Sequence, residues 1–157
     1  MTLDADNNLF MSDVETVLAF MLDHHFDFVN GTRFPLAAQD LMPVSVRFSN
    51  ALISRLIRRR FGIPVQDSQC GFQAFRAAIL PELNLQSTGM EFSQEAKIKA
   101  WTLPGCKAGE IHVRYGQRTG SRKFKALLDS LHIIRHAYSI PRTPPARSEP
   151  AGGDEKV

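Results

Sequence analysis

Short strand patterns separated by longer helical patterns constrain the fold of this chain more than any other feature. Segments 26–29 and 109–115 are rich in aromatic and β-branched residues, and the second alternates apolar with polar side chains as a strand does. Other segments repeat apolar residues every three or four positions, which is the period of a helix: 12–22, 44–60, 91–103 and 124–138. Strands that alternate with helices predict an α/β fold with a mainly parallel sheet.

The number of strand patterns is small for such a sheet. We find only two or three, whereas an open parallel sheet needs more strands and helices on both faces. The 157 residues suit a single domain. We therefore expect a partial α/β fold over residues 1–140. Residues 141–157 are mostly Pro, Arg, Ser, Gly and acids, with little apolar surface to bury, so we expect a disordered tail there.

Two local patterns predict how individual helices begin and end. Ser12 and Glu15 have the spacing of a capping box. In this motif each side chain accepts a hydrogen bond from a free backbone amide at the start of the helix. A short helix is predicted over residues 74–80, with Pro81 ending it.

The composition argues against several classes of protein. No stretch reaches the ~18–20 apolar residues of a membrane-spanning helix. The first residues are acidic, unlike the basic start of a signal peptide. Cys70 and Cys106 are too few for a disulfide framework, so we expect both as free, buried thiols in a reducing compartment.

Charge is distributed unevenly along the chain, although the net charge is only +3. Residues 1–46 hold seven acids and one base, residues 47–60 hold five arginines and no acid, and residues 111–147 hold eight bases and one acid. Such basic segments suit nucleic acid, a phosphorylated ligand or an anionic membrane surface, or they form a solvated helix face. We do not expect nucleic acid as the partner, because the acidic first segment and the lack of an aromatic platform both oppose it.

Two carboxylates near the start of the sequence form a candidate metal site. Asp4 and Asp6 are two residues apart, so both side chains can point the same way where a strand runs into a loop. Mg²⁺ and Mn²⁺ prefer such oxygen ligands and complete their shell with water and phosphate oxygens. The sequence therefore predicts a Mg²⁺ or Mn²⁺ site at Asp4 and Asp6.

Candidate ligand-binding residues lie in loops and at helix starts. Arg33 and Arg47 can each hold phosphate oxygens through the guanidinium group. Asp67 precedes Gly71 in a glycine-containing loop, where it is a candidate general base, an acceptor-binding residue or a loop cap. Glu91 opens a helix, where an acid also interacts favourably with the helix dipole.

A cationic loop follows the last strand pattern. Arg118 and Lys123 flank a short segment that contains Gly120 and Ser121. Such a loop can close over a diphosphate and neutralise its charge.

Together these motifs resemble those of the family 2 glycosyltransferases, in the branch that contains the dolichyl- and polyprenyl-phosphate sugar synthases. The resemblance runs from Leu3 to about residue 140 and keeps the order of seven motifs. In this sequence they are Asp4-Ala5-Asp6, Gly31-Thr32-Arg33, Arg47-Phe48-Ser49-Asn50, Asp67 with Gly71, Phe72 and Phe75, residues 89–95, residues 110–115, and Arg118 with Gly120 and Lys123. Arg122 departs from the pattern, because the family has serine at that position.

The resemblance implies a nucleotide-diphospho-sugar transferase fold of the GT-A type and a hexosyltransferase activity. A sugar would pass, with inversion, from a nucleotide diphosphate sugar to an acceptor such as a polyprenyl phosphate. Asp4 and Asp6 would hold the metal against the leaving diphosphate. Arg118 and Lys123 would neutralise the charge that builds on that diphosphate.

The resemblance also implies roles on the acceptor side. Arg33 and Arg47 would position an anionic acceptor, and Gly71 and Glu91 would line the same binding site. A phosphate acceptor is already a nucleophile and needs no strong base. For a hydroxyl acceptor, Asp67 is the candidate base.

In the family, a first half of alternating strands and helices binds the nucleotide, and its motifs are missing before Asp4. The resemblance therefore implies the acceptor-side part of a catalytic domain. One alternative is an inactive fragment, and another is one half of a split enzyme that a partner chain completes. The family implies a cytoplasmic location at the inner face of a membrane, where segment 124–140 could lie on the membrane surface or pack in the core.

Overall fold

The computed structural model of the chain describes residues 1–2, 10–35, 42–89, 91–116 and 126–142. Three strands and five α-helices follow one another within these ranges. They are α1 (Asp13–Asp23), β1 (Phe28–Thr32), α2 (Val44–Phe61), β2 (Gln73–Phe75), α3 (Leu80–Leu83), α4 (Glu91–Thr102), β3 (Ala108–His112) and α5 (Ala126–Ser139). The expected α/β class is confirmed.

The described strands form a mixed sheet with β1 in the centre, in the order β2-β1-β3. β1 and β3 run parallel, with Phe28 opposite Ala108 and Thr32 opposite His112. β1 and β2 run antiparallel, with Asn30 opposite Gln73. The expectation of a mainly parallel sheet is therefore wrong for this part of the chain. β2 enters the sheet from the edge at which β1 ends, so it has to run back along β1.

Alternate residues of β1 supply the cores on the two faces of the sheet, as strand geometry requires. Val29 packs with Val17 and Met21 of α1 on one face. Phe28 packs on the other face, where Ala96 and Ala100 of α4 cover it. These contacts fix β1 between two layers of helix.

A third apolar cluster joins α2, α4 and α5. Ile53 and Ile57 of α2 pack there with Ile98 of α4 and with Ile133 and Ala137 of α5. For α5, the sequence left open a core position or a membrane-surface position, and these residues pack in the core. The predicted tail over 141–157 lies, from residue 143 onward, outside the described residues.

The predicted capping box at the start of α1 is wrong. The Ser12 backbone is already helical, at φ −64° and ψ −16°, and its side chain makes no capping hydrogen bond. The Ser12 hydroxyl instead accepts a hydrogen bond from the Arg114 guanidinium. The Ser12 hydroxyl therefore makes a tertiary contact with Arg114, whereas the local pattern predicted that it would cap α1.

The predicted helix over residues 74–80 is also wrong. Residues 73–75 form β2, and a 3₁₀ turn over Ala77–Ile79 leads into α3. Pro81 lies in the first turn of α3, where no amide hydrogen is needed and a fixed φ favours the helix. Pro81 therefore begins a helix and does not end one.

The sequence also predicted that the chain has no membrane-spanning helix and that its two cysteines are free thiols. No helix within the described ranges is long and apolar enough to cross a membrane. Cys70 and Cys106 are both free thiols, as expected; Cys70 is buried and Cys106 is partly buried.

Candidate functional site

The candidate site lies at the edge of the sheet where the parallel strands β1 and β3 end. Arg33 directly follows β1, and Tyr115 lies just beyond β3. Because β2 is antiparallel to β1, the loop that precedes β2 reaches this same edge. This loop, residues 66–71, is called the Asp67 loop below. Ligands of open α/β sheets bind at the carboxyl ends of the strands, so the location favours a binding site.

Arg33 and Asp67 form a buried, two-pronged ion pair. Arg33 Nε donates to Asp67 Oδ2 at 2.7 Å, and Nη2 donates to Oδ1 at 2.9 Å. The backbone amide of Arg33 donates to Oδ2 as well, at 3.2 Å. On its other side, the Arg33 guanidinium carbon lies 5.5 Å from the centre of the Tyr115 ring. The pair fixes both side chains relative to the end of β1.

Burial and pairing act against each other on the pKa of both groups. Burial alone would raise the pKa of Asp67, but the Arg33 charge and hydrogen bonds outweigh it and hold that pKa below the ordinary value. Burial also opposes the charge of Arg33, yet Asp67 keeps the pKa of the guanidinium above its ordinary value. Both groups are therefore charged in the folded protein.

The start of the Asp67 loop is held by a carboxylate on β3. Glu110 Oε2 accepts a hydrogen bond from the Gln66 amide at 2.8 Å, and Oε1 accepts one from the Asp67 amide at 3.1 Å. Asn30 of β1 donates through Nδ2 to Glu110 Oε1 and to the Asp67 carbonyl. Burial raises the pKa of Glu110, although these hydrogen bonds oppose the shift. The loop is thus fastened to both parallel strands.

The rest of the Asp67 loop is held by helices. The Ser68 amide donates to the Ser54 hydroxyl on α2 at 3.0 Å. From α4, the Lys97 ammonium donates to the Ser68 carbonyl at 3.0 Å and to the Cys70 carbonyl at 2.5 Å. Ser93 Oγ donates to the same Cys70 carbonyl at 3.1 Å. Every part of the loop is therefore tied to a neighbouring element before any ligand binds.

Gly31 allows a close approach of two backbones where the loop meets β1. The Gly31 amide donates to the Phe72 carbonyl at 2.8 Å, which brings the two backbones together. A Cβ atom at Gly31 would lie 3.0 Å from a Val113 methyl group and 3.2 Å from Phe72 Cβ. A larger residue at this position would therefore have to displace Val113 and Phe72 by a few tenths of an ångström.

The structure pairs two of the predicted site residues, Arg33 and Asp67, and places Gly71 at the end of the Asp67 loop. The other two described ones make their contacts elsewhere. Glu91 pairs with His132 of α5, with 2.7 Å between Oε1 and Nε2. Arg47 lies in the first turn of α2, where its amide donates to the Pro43 carbonyl. The predicted binding roles of Gly71, Arg47 and Glu91 stay predictions.

The remaining predicted residues lie outside the described part of the chain: Asp4, Asp6, Arg118 and Lys123. Within the described residues, no group of three or more His, Cys, Asp or Glu side chains could hold a metal ion. The metal site predicted at Asp4 and Asp6 is not among those residues, so it stays a prediction.

Sequence reasoning missed two charged side chains that hold the site. Glu110 appeared only as the start of a strand motif, and Lys97 appeared only as part of a helix. The sequence held no usable signal for Lys97. Lys97 and Lys99 are about 200° apart around a helix, and residues at that separation can both lie beside a packed face. Lys99 is partly exposed and pairs with Glu95, and Lys97 is buried.

Comparison with known proteins finds no relative of this chain. The chain matches no family model, no curated protein and no solved structure.

Proposed function

We propose that this chain is the acceptor-side part of a family 2 glycosyltransferase. It transfers a sugar, with inversion, from a nucleotide diphosphate sugar to an acceptor, and the acceptor is a phosphate such as polyprenyl phosphate. The observation that carries the proposal is the buried Arg33–Asp67 pair at the carboxyl ends of β1 and β3. Two residues far apart in the sequence, each singled out by a different motif, meet at the edge of the sheet where ligands bind.

The contacts of Asp67 support a phosphate acceptor over a hydroxyl acceptor. Oδ2 accepts hydrogen bonds from Nε and the amide of Arg33, and Oδ1 accepts from Nη2 of Arg33 and from the Gln69 amide. A carboxylate with four donors and a lowered pKa is a weak base. A phosphate oxygen carries its own negative charge and needs no base. Asp67 then orients Arg33, and we assign Nη1, which is not part of the pair, as the donor to an anionic acceptor.

Metal chemistry in this proposal belongs to Asp4 and Asp6. Two carboxylates supply the hard oxygen ligands that Mg²⁺ and Mn²⁺ require, so the donor set fits the group. When bound, the ion neutralises charge on the leaving diphosphate. Arg118 and Lys123 add positive charge to the same group from the cationic loop.

Contact with a membrane surface is supported by one face of α2. Val44, Phe48 and Leu52 are exposed and lie four residues apart, so they form one stripe. Arg55 and Arg59 continue the same stripe and are also exposed. An exposed apolar stripe that continues into arginines suits the surface of an anionic bilayer, which is where a polyprenyl phosphate resides.

The donor side is tested by isothermal titration of the full chain with UDP-glucose and GDP-mannose in the presence of Mn²⁺. We expect metal-dependent binding of one of them, and its loss in Asp6→Ala. Asp23→Ala removes an acid at the end of α1 and serves as the matched control, with binding retained. Sugar transfer to polyprenyl phosphate is then followed with the donor that binds.

Failure of this test has a defined meaning. If neither nucleotide sugar binds with Mn²⁺ present, the chain alone is not a working transferase, and the inactive fragment or the split enzyme replaces the proposal. If binding occurs but Asp6→Ala leaves it unchanged, the metal role of Asp6 is wrong.

The membrane contact is tested separately by sedimentation with vesicles. We expect binding to vesicles that contain phosphatidylglycerol and little binding to pure phosphatidylcholine. Phe48→Ser should reduce the binding, whereas Ser45→Ala on the same exposed turn should not. Equal binding of the wild type and Phe48→Ser would contradict the role of α2.

A further inference from the structure

Lys97 has an unusual position for a lysine. It lies in α4 between buried Ala96 and Ile98, and only 1% of its surface is exposed. Five consecutive residues of this helix, 94–98, are buried, so α4 is enclosed on all sides there. Burying an ammonium group is costly unless each of its three donors has an acceptor.

Two of the three donors of Lys97 reach the Asp67 loop, and the third reaches a hydroxyl on the same helix. They reach the Ser68 carbonyl at 3.0 Å, the Cys70 carbonyl at 2.5 Å and the Ser93 hydroxyl at 3.0 Å. Ser93 precedes Lys97 by one helical turn and itself donates to the Cys70 carbonyl. The ammonium therefore contacts two carbonyls of the Asp67 loop, and none of its direct partners within the described residues is a carboxylate.

The charged and titratable groups that act on Lys97 come from each neighbouring element. Asp67 and Cys70 belong to the loop, Arg33 follows β1, and Glu110 lies on β3. Burial raises the pKa of the Cys70 thiol to about 11, so Cys70 is neutral. Lys97 and Arg33 are then two cations that both act on the charge of Asp67, and Glu110 acts on Lys97 from β3.

We propose that Lys97 is a positioning residue of the site: its ammonium holds the Asp67 loop in the shape that presents Arg33 and Gly71 to an acceptor, and loss of its proton releases the loop. The claim that the loop presents residues to an acceptor rests on the proposed glycosyl transfer. The claim that Lys97 holds the loop rests on the three hydrogen bonds and is independent of the reaction.

The chemistry of the amine gives the direction of the pH effect. An ammonium offers three N–H donors, whereas a neutral amine offers two and a lone pair. A neutral amine therefore keeps at most two of the three hydrogen bonds that the ammonium donates to the Ser68 carbonyl, the Cys70 carbonyl and the Ser93 hydroxyl. Burial lowers the pKa of Lys97 to about 8 from an ordinary value of 10.5. The loop should therefore loosen as the pH rises through about 8.

Global stability changes in the opposite direction over the same interval. The folded state loses the Lys97 proton near pH 8, whereas the unfolded chain keeps it to about 10.5. The unfolded state thus binds more protons between these values, and the Lys97 contribution to stability rises with pH there. We therefore expect a looser loop together with a more stable fold as the pH rises above about 8.

The test is hydrogen–deuterium exchange of the full chain, read by mass spectrometry over peptides that cover residues 66–73. At pH 7, Lys97→Met should speed exchange in these peptides about tenfold, because the loop opens locally without global unfolding. Lys99→Met is the matched control, since Lys99 lies on the same helix and donates to the Asn84 carbonyl instead. It should leave residues 66–73 unchanged.

The wild type provides a second measurement that needs no mutation. After correction for intrinsic exchange, protection of residues 66–73 should fall between pH 7 and pH 9, and Lys97→Met should lack this step. If the active donor is identified, transfer should fall over the same interval in the wild type, with the pH step again absent in Lys97→Met.

Two results would overturn the inference. One is unchanged exchange of residues 66–73 in a folded Lys97→Met variant, and the other is wild-type protection that does not change between pH 7 and pH 9. Failure of the chain to bind UDP-glucose or GDP-mannose would count against the proposed transferase but not against these exchange results.

Discussion

Two arginine–aspartate pairs in this protein share a backbone contact and have very different surroundings. Arg33 follows β1 and pairs with Asp67, and Arg114 follows β3 and pairs with Asp13 at the start of α1. In both, the backbone amide of the arginine donates to the carboxylate that its side chain also contacts, at 3.2 Å and 2.8 Å. Two parallel strands thus end in the same local arrangement.

Exposure to water separates the two pairs. The side chains of Arg33 and Asp67 are 9% and 0% exposed, whereas those of Arg114 and Asp13 are 55% and 11% exposed. Water solvates Arg114 whether or not its partner is present, so that pair adds little stability. Removal of one partner from the buried pair leaves a charge that water cannot reach. Two ion pairs between the same residue types therefore have unequal consequences for stability.

The largest expected effect is the loss of one partner from the buried pair. Asp67→Asn keeps the shape of the side chain but removes its charge, which leaves the Arg33 charge uncompensated. We expect a loss of about 3–5 kcal/mol in the free energy of unfolding, measured by urea denaturation. A loss below that of the Asp13→Asn variant would show that burial does not distinguish the two pairs.

The contribution of the same pair to stability should also be measurable in the wild type, as a loss of stability at acidic pH. Asp67 has a lowered pKa in the folded state, so its contribution to stability is fully present above the unfolded-state value near 3.8. That contribution is lost as the pH falls through the lower folded-state pKa. We expect urea midpoints to drop steeply below pH 4. A variant that lacks the Asp67 carboxyl should lose this part of the pH dependence.

Replacing both partners should cost much less than replacing one. The double variant Arg33→Met with Asp67→Leu removes both buried charges and fills the space with apolar groups. We expect its stability to return to within about 1 kcal/mol of the wild type, measured by the same urea experiment. Acceptor binding should remain lost, since Arg33 is absent. No recovery relative to Asp67→Asn would mean that the pair stabilises the loop through its hydrogen bonds and not through charge compensation.

The smallest effect is expected at the exposed pair. Asp13→Asn should lower the free energy of unfolding by about 0.5–1 kcal/mol, because Arg114 stays solvated. The loss should shrink further in 1 M NaCl, where salt screens exposed charges. A loss equal to that of Asp67→Asn would contradict the comparison.

The sequence patterns identified most elements but not their burial. The helical periods of residues 44–60 and 91–103 predicted α2 and α4 closely, because a repeat of three and four residues is a property of the chain itself. The pattern treated α4 as amphipathic, whereas residues 94–98 are all buried. Its surroundings come from α2, α5 and the sheet, which the local pattern does not contain.

The same limit applies to the site. Arg33 and Asp67 could be identified from their motifs, and their partnership could not, since 34 residues separate them. For Ser12, the local pattern predicted a helix cap, but its hydroxyl accepts a hydrogen bond from Arg114, which is 102 residues away. Residue types and local periods are visible in one sequence, and tertiary hydrogen-bond partners are not.

The central place of β1 also affects the order in which the protein folds. β1 leaves the ribosome well before β3, since their paired residues Asn30 and Glu110 are 80 positions apart. Closing so long a loop costs entropy before the strand contacts repay it, and parallel pairing of this kind is slow. Until β3 is synthesised, one backbone edge of β1 has no partner strand, which invites pairing with other chains. A nascent chain that stops before residue 108 therefore carries an unpaired edge that a chaperone would protect.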